Sequence, residues 1–238
     1  AGGEGRPGWP VSSIWMARKI SRMWREKGVL HLGILNSLRA WNFFEVPKSV
    51  NVYSNVGGFG IDGGISTLIG ASLADKERLY FGVVGDLAFF YDMNSLGNRH
   101  VGKNIRLMLI NNGVGTEFKN YSHPAYRFGQ DADKYMAAAG HYGNKSPLLV
   151  KHYAEDLGFE YLTASNKQEF DALYERFISA EITDRPILFE VFTESGNESD
   201  ALRIISNVYQ DTTKRAANIV REILGESAVQ MVKKIIGK

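Results

Sequence analysis

Short apolar runs alternate with helix-like segments through most of this chain. The apolar runs cover residues 29–35, 50–54, 79–84, 105–110, 159–162 and 187–192. The helix-like segments between them cover residues 36–44, 64–74, 87–97, 148–157 and 166–180. The runs at 79–84 and 105–110 are rich in branched and aromatic residues and end in turn formers, which is typical of buried parallel strands. The pattern therefore predicts an α/β fold with a mostly parallel central sheet.

The two ends of the chain depart from this alternation. Residues 1–10 are rich in glycine and proline, which predicts a linker, and Ser12 or Ser13 would cap a helix reaching Lys27. Further predicted helices cover 132–139, 202–208, 214–224 and 228–236, and the last three would dock on the domain or bind a partner subunit. We predict three regions: a linker with a helix at 1–28, an α/β domain at 29–195 and a helical extension at 196–238.

Composition narrows the class of protein without identifying it. The 238 residues are 44% hydrophobic and 23% charged, as in ordinary globular proteins, and the net charge of +2 predicts no nucleic-acid partner. The absence of cysteine excludes disulfides and thiol nucleophiles and fits a cytoplasmic protein. We see no membrane-length apolar run, no signal peptide and no phosphate loop of the GxxxxGK[ST] type, so we expect neither a membrane partner nor that nucleotide-binding class.

Two oxygen-bearing side chains follow the runs at 79–84 and 105–110. Asp86 comes after Gly85 at the end of the first run, and Asn112 comes after Asn111 at the end of the second. Because neighbouring parallel strands end at the same edge of a sheet, we expect these two side chains to lie close together. A carboxylate with an amide oxygen suits Mg²⁺ held jointly with a phosphate-bearing ligand, and makes a poor zinc site.

Other segments supply candidate residues for the same edge. Ser37 is either a plain helix cap or a contact for a phosphate group, and both roles are compatible. The loop 55–64 has five glycines among residues 57–64, which would let a ligand approach the backbone closely. Ile61 in that loop is either a core residue or a ligand contact. His123, in a long irregular segment up to residue 131, is an acid/base candidate or simply an exposed loop histidine.

The spacing of these motifs resembles that of thiamine-diphosphate-dependent enzymes. Gly85-Asp86 and Asn111-Asn112 match the family's cofactor signature. NSL at 36–38, SNVGGFGIDGGISTLIGASL at 54–73, GDLAFFYDMNSL at 85–96 and LINNGVG at 109–115 are most similar to the MenD family of menaquinone biosynthesis. The resemblance covers residues 33–193 and corresponds to the family's C-terminal, diphosphate-binding domain. It implies a three-layer α-β-α fold for the domain at 29–195.

The resemblance also implies a cofactor, a metal and a reaction. Thiamine diphosphate would be bound through Mg²⁺, with Asp86, Asn112 and the Val114 carbonyl as metal ligands. The implied cofactor-binding residues are Ser37, Asn55, Gly57, Gly58, Phe59, Ile61, Gly85, Asp86, Leu87, Ala88, Asn112, Val114 and Gly115. His123 would be the acid/base residue in a loop over the reactive end of the cofactor. The reaction would decarboxylate a 2-oxo acid and transfer the resulting carbanion to an acceptor.

The resemblance further implies that this chain carries half of an active site. In the family, a glutamate on a separate pyrimidine-binding domain completes the site, so that domain would belong to the same longer chain or to a partner subunit, in a homo-oligomer. Val56 and Trp41 stand about where MenD proteins have substrate-binding arginines, and Arg39 lies nearer the NSL motif. These departures leave two alternatives open: a differently specific 2-oxo acid decarboxylase subunit, for example in cell-surface sugar biosynthesis, or a non-catalytic domain.

Overall fold

Our computed structural model describes residues 8–24, 27–58, 60–136 and 140–208, and a single parallel sheet organises residues 29–192. In these ranges, the sheet has six strands in the order β2-β1-β3-β4-β6-β5, and every neighbouring pair is parallel. The predicted α/β class is therefore confirmed. In chain order the elements are α1 Ser13–Ile20, β1 Val29–Leu32, α2 Asn36–Trp41, β2 Asn51–Ser54, α3 Gly64–Ser72, β3 Tyr80–Gly85, α4 Asp86–Asp92, β4 Ile105–Asn111, α5 Leu149–Asp156, β5 Glu160–Ala164, α6 Lys167–Phe177, β6 Ile187–Phe192 and α7 Ser195–Val208.

One face of the sheet packs against α3, α4 and α5. Strand side chains alternate between faces, so Leu107 and Leu109 of β4 point the same way. They share one buried cluster with Leu68 of α3, Phe89 of α4 and Ala154 of α5. All five side chains are essentially inaccessible to solvent, which makes this cluster the main hydrophobic contribution on this side.

The opposite face is built from aromatic rings. Phe81 of β3 and Phe189 of β6 lie 5.8 Å and 5.7 Å, between ring centroids, from Phe177 of α6. Trp24, which follows α1, lies 4.9 Å from Phe81. Helices therefore cover both faces of the sheet, which confirms the three-layer arrangement.

The register of the central strands places the candidate residues. Gly85 of β3 pairs with Ile110 of β4, so the two strands end together. Asp86 and Asn112 follow those ends and emerge at the same edge of the sheet. The prediction that these two strands are neighbours is confirmed.

Two helix predictions need correction. The helix that begins after Ser12, whose hydroxyl accepts from the Trp15 amide, ends at Ile20 and continues only as a 3-10 turn over Ser21–Met23. The helix predicted at 132–139 is wrong over its first residues, which continue the 3-10 segment Pro124–Lys134. Tyr135 is 86% exposed, so no apolar face is buried there to stabilise a longer helix.

The chain divides into two compact units, residues 1–201 and 202–238. In the second unit the structure describes only residues 202–208, the last part of α7, and the helix predicted at 202–208 is confirmed. Residues 1–7 of the linker predicted at 1–10 and the helices predicted at 214–224 and 228–236 lie outside the described residues. Among the helices in the ranges given above, none combines the length and apolarity needed to cross a membrane.

Candidate functional site

A cavity of about 260 Å³ opens at the carboxyl edge of the sheet. Five segments line it: Ser13 at the start of α1, the turn into α2, Ile61 of the glycine-rich loop, the start of α4, and the end of β4 with the loop that follows it. Most of the predicted cofactor-binding residues meet here: Ser37, Ile61, Gly85, Asp86, Leu87, Ala88, Asn112, Val114 and Gly115. These residues come from segments far apart in sequence, so the topology of the sheet assembles the cavity.

Asp86 ties the two central strands together at the cavity. It is the first residue of α4 and is 2% exposed. Its Oδ1 accepts a hydrogen bond from its neighbour's amide, Leu87 N, at 2.9 Å. Its Oδ2 accepts from the Gly113 amide at 2.5 Å and from the Asn112 amide at 3.2 Å. The predicted pair therefore lies in direct contact, and Asp86 holds the loop after β4 by its backbone.

A histidine that we did not anticipate completes the surroundings of Asp86. His141 Nε2 lies 3.0 Å from Asp86 Oδ2. The His141 ring packs against Phe90 of α4, with 4.6 Å between centroids, and its Nδ1 is buried with no hydrogen-bond partner in the described part of the chain. His141 belongs to an irregular segment and carries no motif, so nothing in the sequence indicated this contact.

The two asparagines at the end of β4, Asn111 within the strand and Asn112 just after it, have different environments. Asn112 Oδ1 accepts from the Val114 amide at 3.3 Å, which shapes the turn at the cavity wall. Asn111 points into the sheet, where its Nδ2 donates to Glu190 Oε1 at 2.7 Å. Glu190 Oε2 accepts from the Tyr161 hydroxyl at 2.6 Å. Burial raises the pKa of Glu190, and the hydrogen bonds from Tyr161 and Asn111 oppose that rise.

Glu190 is a residue that our sequence analysis missed. It lies within an apolar strand and is 1% exposed. The sequence does contain one indication of its role, a single acidic residue inside an apolar run. Because a buried carboxyl is costly without hydrogen-bond partners, such a residue is expected to have them. Its partners, however, come from the two neighbouring strands, and no local pattern encodes that relation.

The glycine-rich loop is anchored by its first residue. Asn55 Oδ1 lies 3.0 Å from His31 Nε2 of β1, while Asn55 Nδ2 donates to the Gly63 carbonyl and to Thr67 Oγ1. Gly63 has φ +85°, a conformation that favours glycine and lets the loop enter α3. The hydrogen bond from Asn55 to Gly63 therefore links the first residue of the loop to a residue near its end.

Three of the predicted cofactor-binding residues lie away from the cavity wall. Asn55, Gly57 and Gly58 do not line the cavity, and the two glycines are exposed. A fourth, Phe59, lies outside the described residues. Asn55 is instead engaged with His31, Gly63 and Thr67, as set out above.

Two lining residues have unusual features: Leu35 has a strained backbone, and Gly85 has free space where a side chain would project. Leu35, which lines the cavity, has φ +66° and ψ −121°, an unfavourable conformation for leucine directly before α2. Strain of this kind concentrates at ligand sites. A Cβ placed on Gly85 would meet no atom within 4 Å, so a side chain there would enter the open space.

A charged pair borders the same space. Arg39 Nη1 and Nη2 donate to Glu117 Oε2 and Oε1 at 2.7 and 2.9 Å, and Arg39 Nη1 also donates to Asn36 Oδ1 at 2.9 Å. Glu117 and Asn36 line the cavity. The arginine nearest the NSL motif is therefore held by a carboxylate of the chain itself.

The acid/base candidate His123 is placed beside the cavity lining. Its Nδ1 accepts from the Ala125 amide at 3.0 Å, and its ring contacts Phe118 edge-on at 5.1 Å. Phe118 lines the cavity and His123 does not. A catalytic role for His123 stays a prediction.

Comparison with known proteins assigns this architecture to a class. Residues 36–191 match the family model described as thiamine pyrophosphate enzyme, C-terminal TPP binding domain, and the chain belongs to this family. It is similar to 2-succinyl-5-enolpyruvyl-6-hydroxy-3-cyclohexene-1-carboxylate synthases, the MenD proteins. The relative from Bacteroides fragilis (strain YCH46) is 32% identical over 204 residues, which are 86% of this chain and 35% of that protein. The relative from Phocaeicola vulgatus is 34% identical over 197 residues, which are 83% of this chain and 34% of that protein.

A solved structure gives the same fold. The Rhodococcus jostii RHA1 thiamine diphosphate-dependent 4-hydroxybenzoylformate decarboxylase superposes with a TM-score of 0.59 at 18% identity. The match covers 81% of this chain and 34% of that chain. This chain also spans about a third of the length of the curated relatives it matches.

Proposed function

We propose that this chain binds thiamine diphosphate through Mg²⁺ in the cavity at the carboxyl edge of the sheet. It would act as the C-terminal domain or subunit of a MenD-like enzyme that decarboxylates a 2-oxo acid and transfers the resulting carbanion to an acceptor. The observation that carries this proposal is the direct contact of Asp86 with the Asn112 and Gly113 amides at the cavity. The family match and the synthase relatives support it.

The residues present suit Mg²⁺. Asp86 Oδ1 accepts a single hydrogen bond, so it keeps acceptor capacity for a metal. Within the described ranges, no three His, Cys, Asp or Glu side chains cluster as a metal site. The metal would instead depend on Asp86, the Asn112 side chain and the Val114 carbonyl, with water and diphosphate oxygens completing its shell. That mixed oxygen set is the kind Mg²⁺ prefers when it binds together with a phosphate.

The cavity also suits part of the cofactor. Gly85 leaves open space where any side chain would project, and the buried Ser37 offers a hydroxyl at the start of α2. The volume of about 260 Å³ lies just below the range of about 300–1,000 Å³ typical of ligand sites. A slightly small, open cavity is expected if a second domain completes the site.

The predicted site residues would then have distinct roles. When bound, thiamine diphosphate supplies the carbon nucleophile and the electron sink of the reaction. Asp86, Asn112 and Val114 would orient the diphosphate through the metal, and Ser37 would donate a hydrogen bond to it. Ile61 would present an apolar surface to the cofactor, with Asn55, Gly57, Gly58 and Phe59 shaping the loop around it. His123 would move a proton at the open end.

The remaining parts of the assembly follow from the same proposal. The diphosphate-binding domain would span 29–195, preceded by the region 1–28 and followed by a helical extension at 196–238. A pyrimidine-binding domain would come from the same longer chain or from a partner subunit, in a cytoplasmic homo-oligomer with a small 2-oxo acid as substrate. Neither the family match nor the synthase relatives favour the sugar-pathway or non-catalytic alternatives.

Titration calorimetry tests this function directly. Thiamine diphosphate is titrated into the full chain with and without Mg²⁺, for the wild type and for Asp86→Ala. We expect Mg²⁺-dependent binding that weakens at least about tenfold, or about 1.4 kcal/mol, in the variant. Asp92→Ala is the matched control, because Asp92 ends the same helix and binds the Ser66 amide outside the cavity. Equal binding by wild type and Asp86→Ala would rule the site out.

A further inference from the structure

We propose that Glu190 is a positioning residue for the metal-binding loop and acts through Asn111. This inference rests on the proposed function, because the loop it positions is the one that carries Asn112 and Val114. Glu190 lies in β6 opposite Leu109 of β4, inside the sheet and away from the cavity lining. Its effect on the cofactor would therefore be indirect.

The burial of Glu190 is the first argument. The side chain is 1% exposed within a strand of apolar neighbours, where a hydrophobic residue would pack at lower cost. Burial raises its pKa, as expected for a carboxyl removed from water. The stability of the fold therefore does not explain why this position holds an acid. A role in positioning the polar loop after β4 does explain it.

The hydrogen-bond geometry is the second argument. Both carboxyl oxygens are engaged: Oε1 accepts from Asn111 Nδ2 at 2.7 Å and Oε2 accepts from the Tyr161 hydroxyl at 2.6 Å. Because the Glu190 carboxyl offers Asn111 a hydrogen-bond acceptor, it determines the orientation of the Asn111 side-chain amide. Its Nδ2 must face Glu190, so its Oδ1 is turned towards the Gly113 amide, 3.3 Å away.

The third argument is the link from Gly113 to the candidate metal site. The same Gly113 amide donates to Asp86 Oδ2 at 2.5 Å, so Asn111 and Asp86 share one donor. Gly113 has φ +77°, which makes the turn that carries Asn112 on one side and Val114 on the other. A reoriented Asn111 amide would place an N–H against the Gly113 N–H, and the turn would have to shift. Glu190 therefore controls the turn through a single intervening side chain.

Two substitutions at position 190 separate this role from simple packing. In Glu190→Gln the amide oxygen still accepts from Asn111, and the amide nitrogen donates to the Tyr161 hydroxyl, which can rotate to accept. Glu190→Leu fills similar space but offers no acceptor. We expect Glu190→Leu to weaken Mg²⁺-dependent binding of thiamine diphosphate by roughly 10–100-fold, the usual cost of losing an outer-shell partner. Glu190→Gln should stay within about threefold of wild type, since it keeps the Asn111 hydrogen bond.

A readout without cofactor accompanies the binding measurement. Hydrogen exchange of the Gly113 amide should be faster in Glu190→Leu than in wild type and unchanged in Glu190→Gln. Phe189→Leu is the matched control, because it destabilises the opposite face of β6 without touching Asn111. It should lower stability and leave both the cofactor affinity and Gly113 exchange unchanged. If Glu190→Leu does not fold, Asn111→Ala removes the same hydrogen bond and should give the same losses.

The outcomes distinguish this inference from the proposed function. If the wild type binds no thiamine diphosphate with Mg²⁺, the proposed function fails, and Gly113 exchange alone decides the positioning role. Unchanged exchange and affinity in both Glu190→Leu and Asn111→Ala would overturn the inference. So would an equal loss of affinity in Phe189→Leu, because the effect would then be general destabilisation.

Discussion

His31 Nε2 lies 3.0 Å from Asn55 Oδ1, and this hydrogen bond joins the buried centre of β1 to the start of the glycine-rich loop. The Asn55 amide nitrogen donates to Gly63 and Thr67, so its oxygen must accept from the histidine. His31 is therefore a donor at Nε2 and is 4% exposed. The relationship mirrors that of Glu190 with Asn111: in both cases a buried ionisable side chain binds an asparagine at the junction between a strand and a loop of the candidate site.

His31 should make a contribution to the stability of the protein that is lost in acid. Burial lowers the pKa of His31 below its ordinary value of 6.5, and the hydrogen bond to Asn55 only partly opposes this. The unfolded chain then binds a proton near pH 6.5 while the folded chain does not. The contribution of neutral His31 is present above pH 6.5 and is lost as the pH falls through the folded pKa.

Urea unfolding at pH 7.5, 6 and 5 checks this for wild type and His31→Gln. Glutamine keeps an N–H donor for Asn55 but does not titrate, so the unfolding free energy of the variant should rise relative to that of wild type as the pH falls from 7.5 to 5. The same pH dependence in both proteins would show that His31 does not control it.

A side chain at Gly85 should block the cavity without disturbing the fold. Gly85 has φ −77° and ψ 162°, extended backbone that any residue adopts, and a Cβ there meets nothing within 4 Å. Gly85→Val should change the unfolding free energy by less than about 0.5 kcal/mol. Its side chain would occupy the open space, so calorimetry should show at least about tenfold weaker binding of thiamine diphosphate with Mg²⁺.

Gly70→Ala is the control for that substitution. Gly70 lies in α3 with open space around it, away from the cavity. Alanine in a helix interior should raise stability by about 0.5–1 kcal/mol and leave cofactor binding unchanged. Wild-type binding by Gly85→Val would show that the space beside Gly85 is not used.

The sequence predicted the framework of the site because that framework is encoded locally. Apolar runs with turn formers locate the strands, and parallel strand ends share an edge, so the apposition of Asp86 and Asn112 could be anticipated. His31, Glu190 and His141 were missed for the opposite reason. Their partners Asn55, Asn111 and Asp86 are distant in sequence, and only the order of the strands and the path of an irregular loop bring them together.

The ion pair of Arg39 with Glu117 should contribute measurably to stability. Its geometry is bidentate, and the two side chains are only 34% and 19% exposed. A double-mutant cycle with Arg39→Ala and Glu117→Ala should give a coupling energy of about 1 kcal/mol, at the upper end for surface pairs. Lys134 and Asp131, 71% and 86% exposed, form the comparison pair and should couple by less than about 0.3 kcal/mol. Equal coupling for the two pairs would contradict the expectation.

Glu198 should have the opposite pH dependence to His31. Its carboxylate oxygens accept from the Ser13 amide at 2.9 and 3.1 Å, and Oε1 also lies 3.2 Å from the Ser13 hydroxyl, which donates to it. Burial raises the pKa of Glu198 from 4.5 to about 7 despite these hydrogen bonds. Between those two values the folded chain keeps a proton that the unfolded chain has lost. The contribution of Glu198 to the free energy of unfolding should therefore decrease as the pH rises from about 4.5 to about 7, by roughly 3 kcal/mol at most.

Glu198→Gln isolates this contribution, because glutamine keeps a carbonyl acceptor for the Ser13 amide without titrating. Urea unfolding at pH 5 and 7.5 should show that the variant gains stability relative to wild type as the pH rises. His31→Gln, measured in the same series, should gain stability relative to wild type as the pH falls. A wild-type pH dependence that survives unchanged in Glu198→Gln would mean that Glu198 is ionised in the folded chain throughout this range. Its hydrogen bonds to Ser13 would then offset the whole cost of burying its charge.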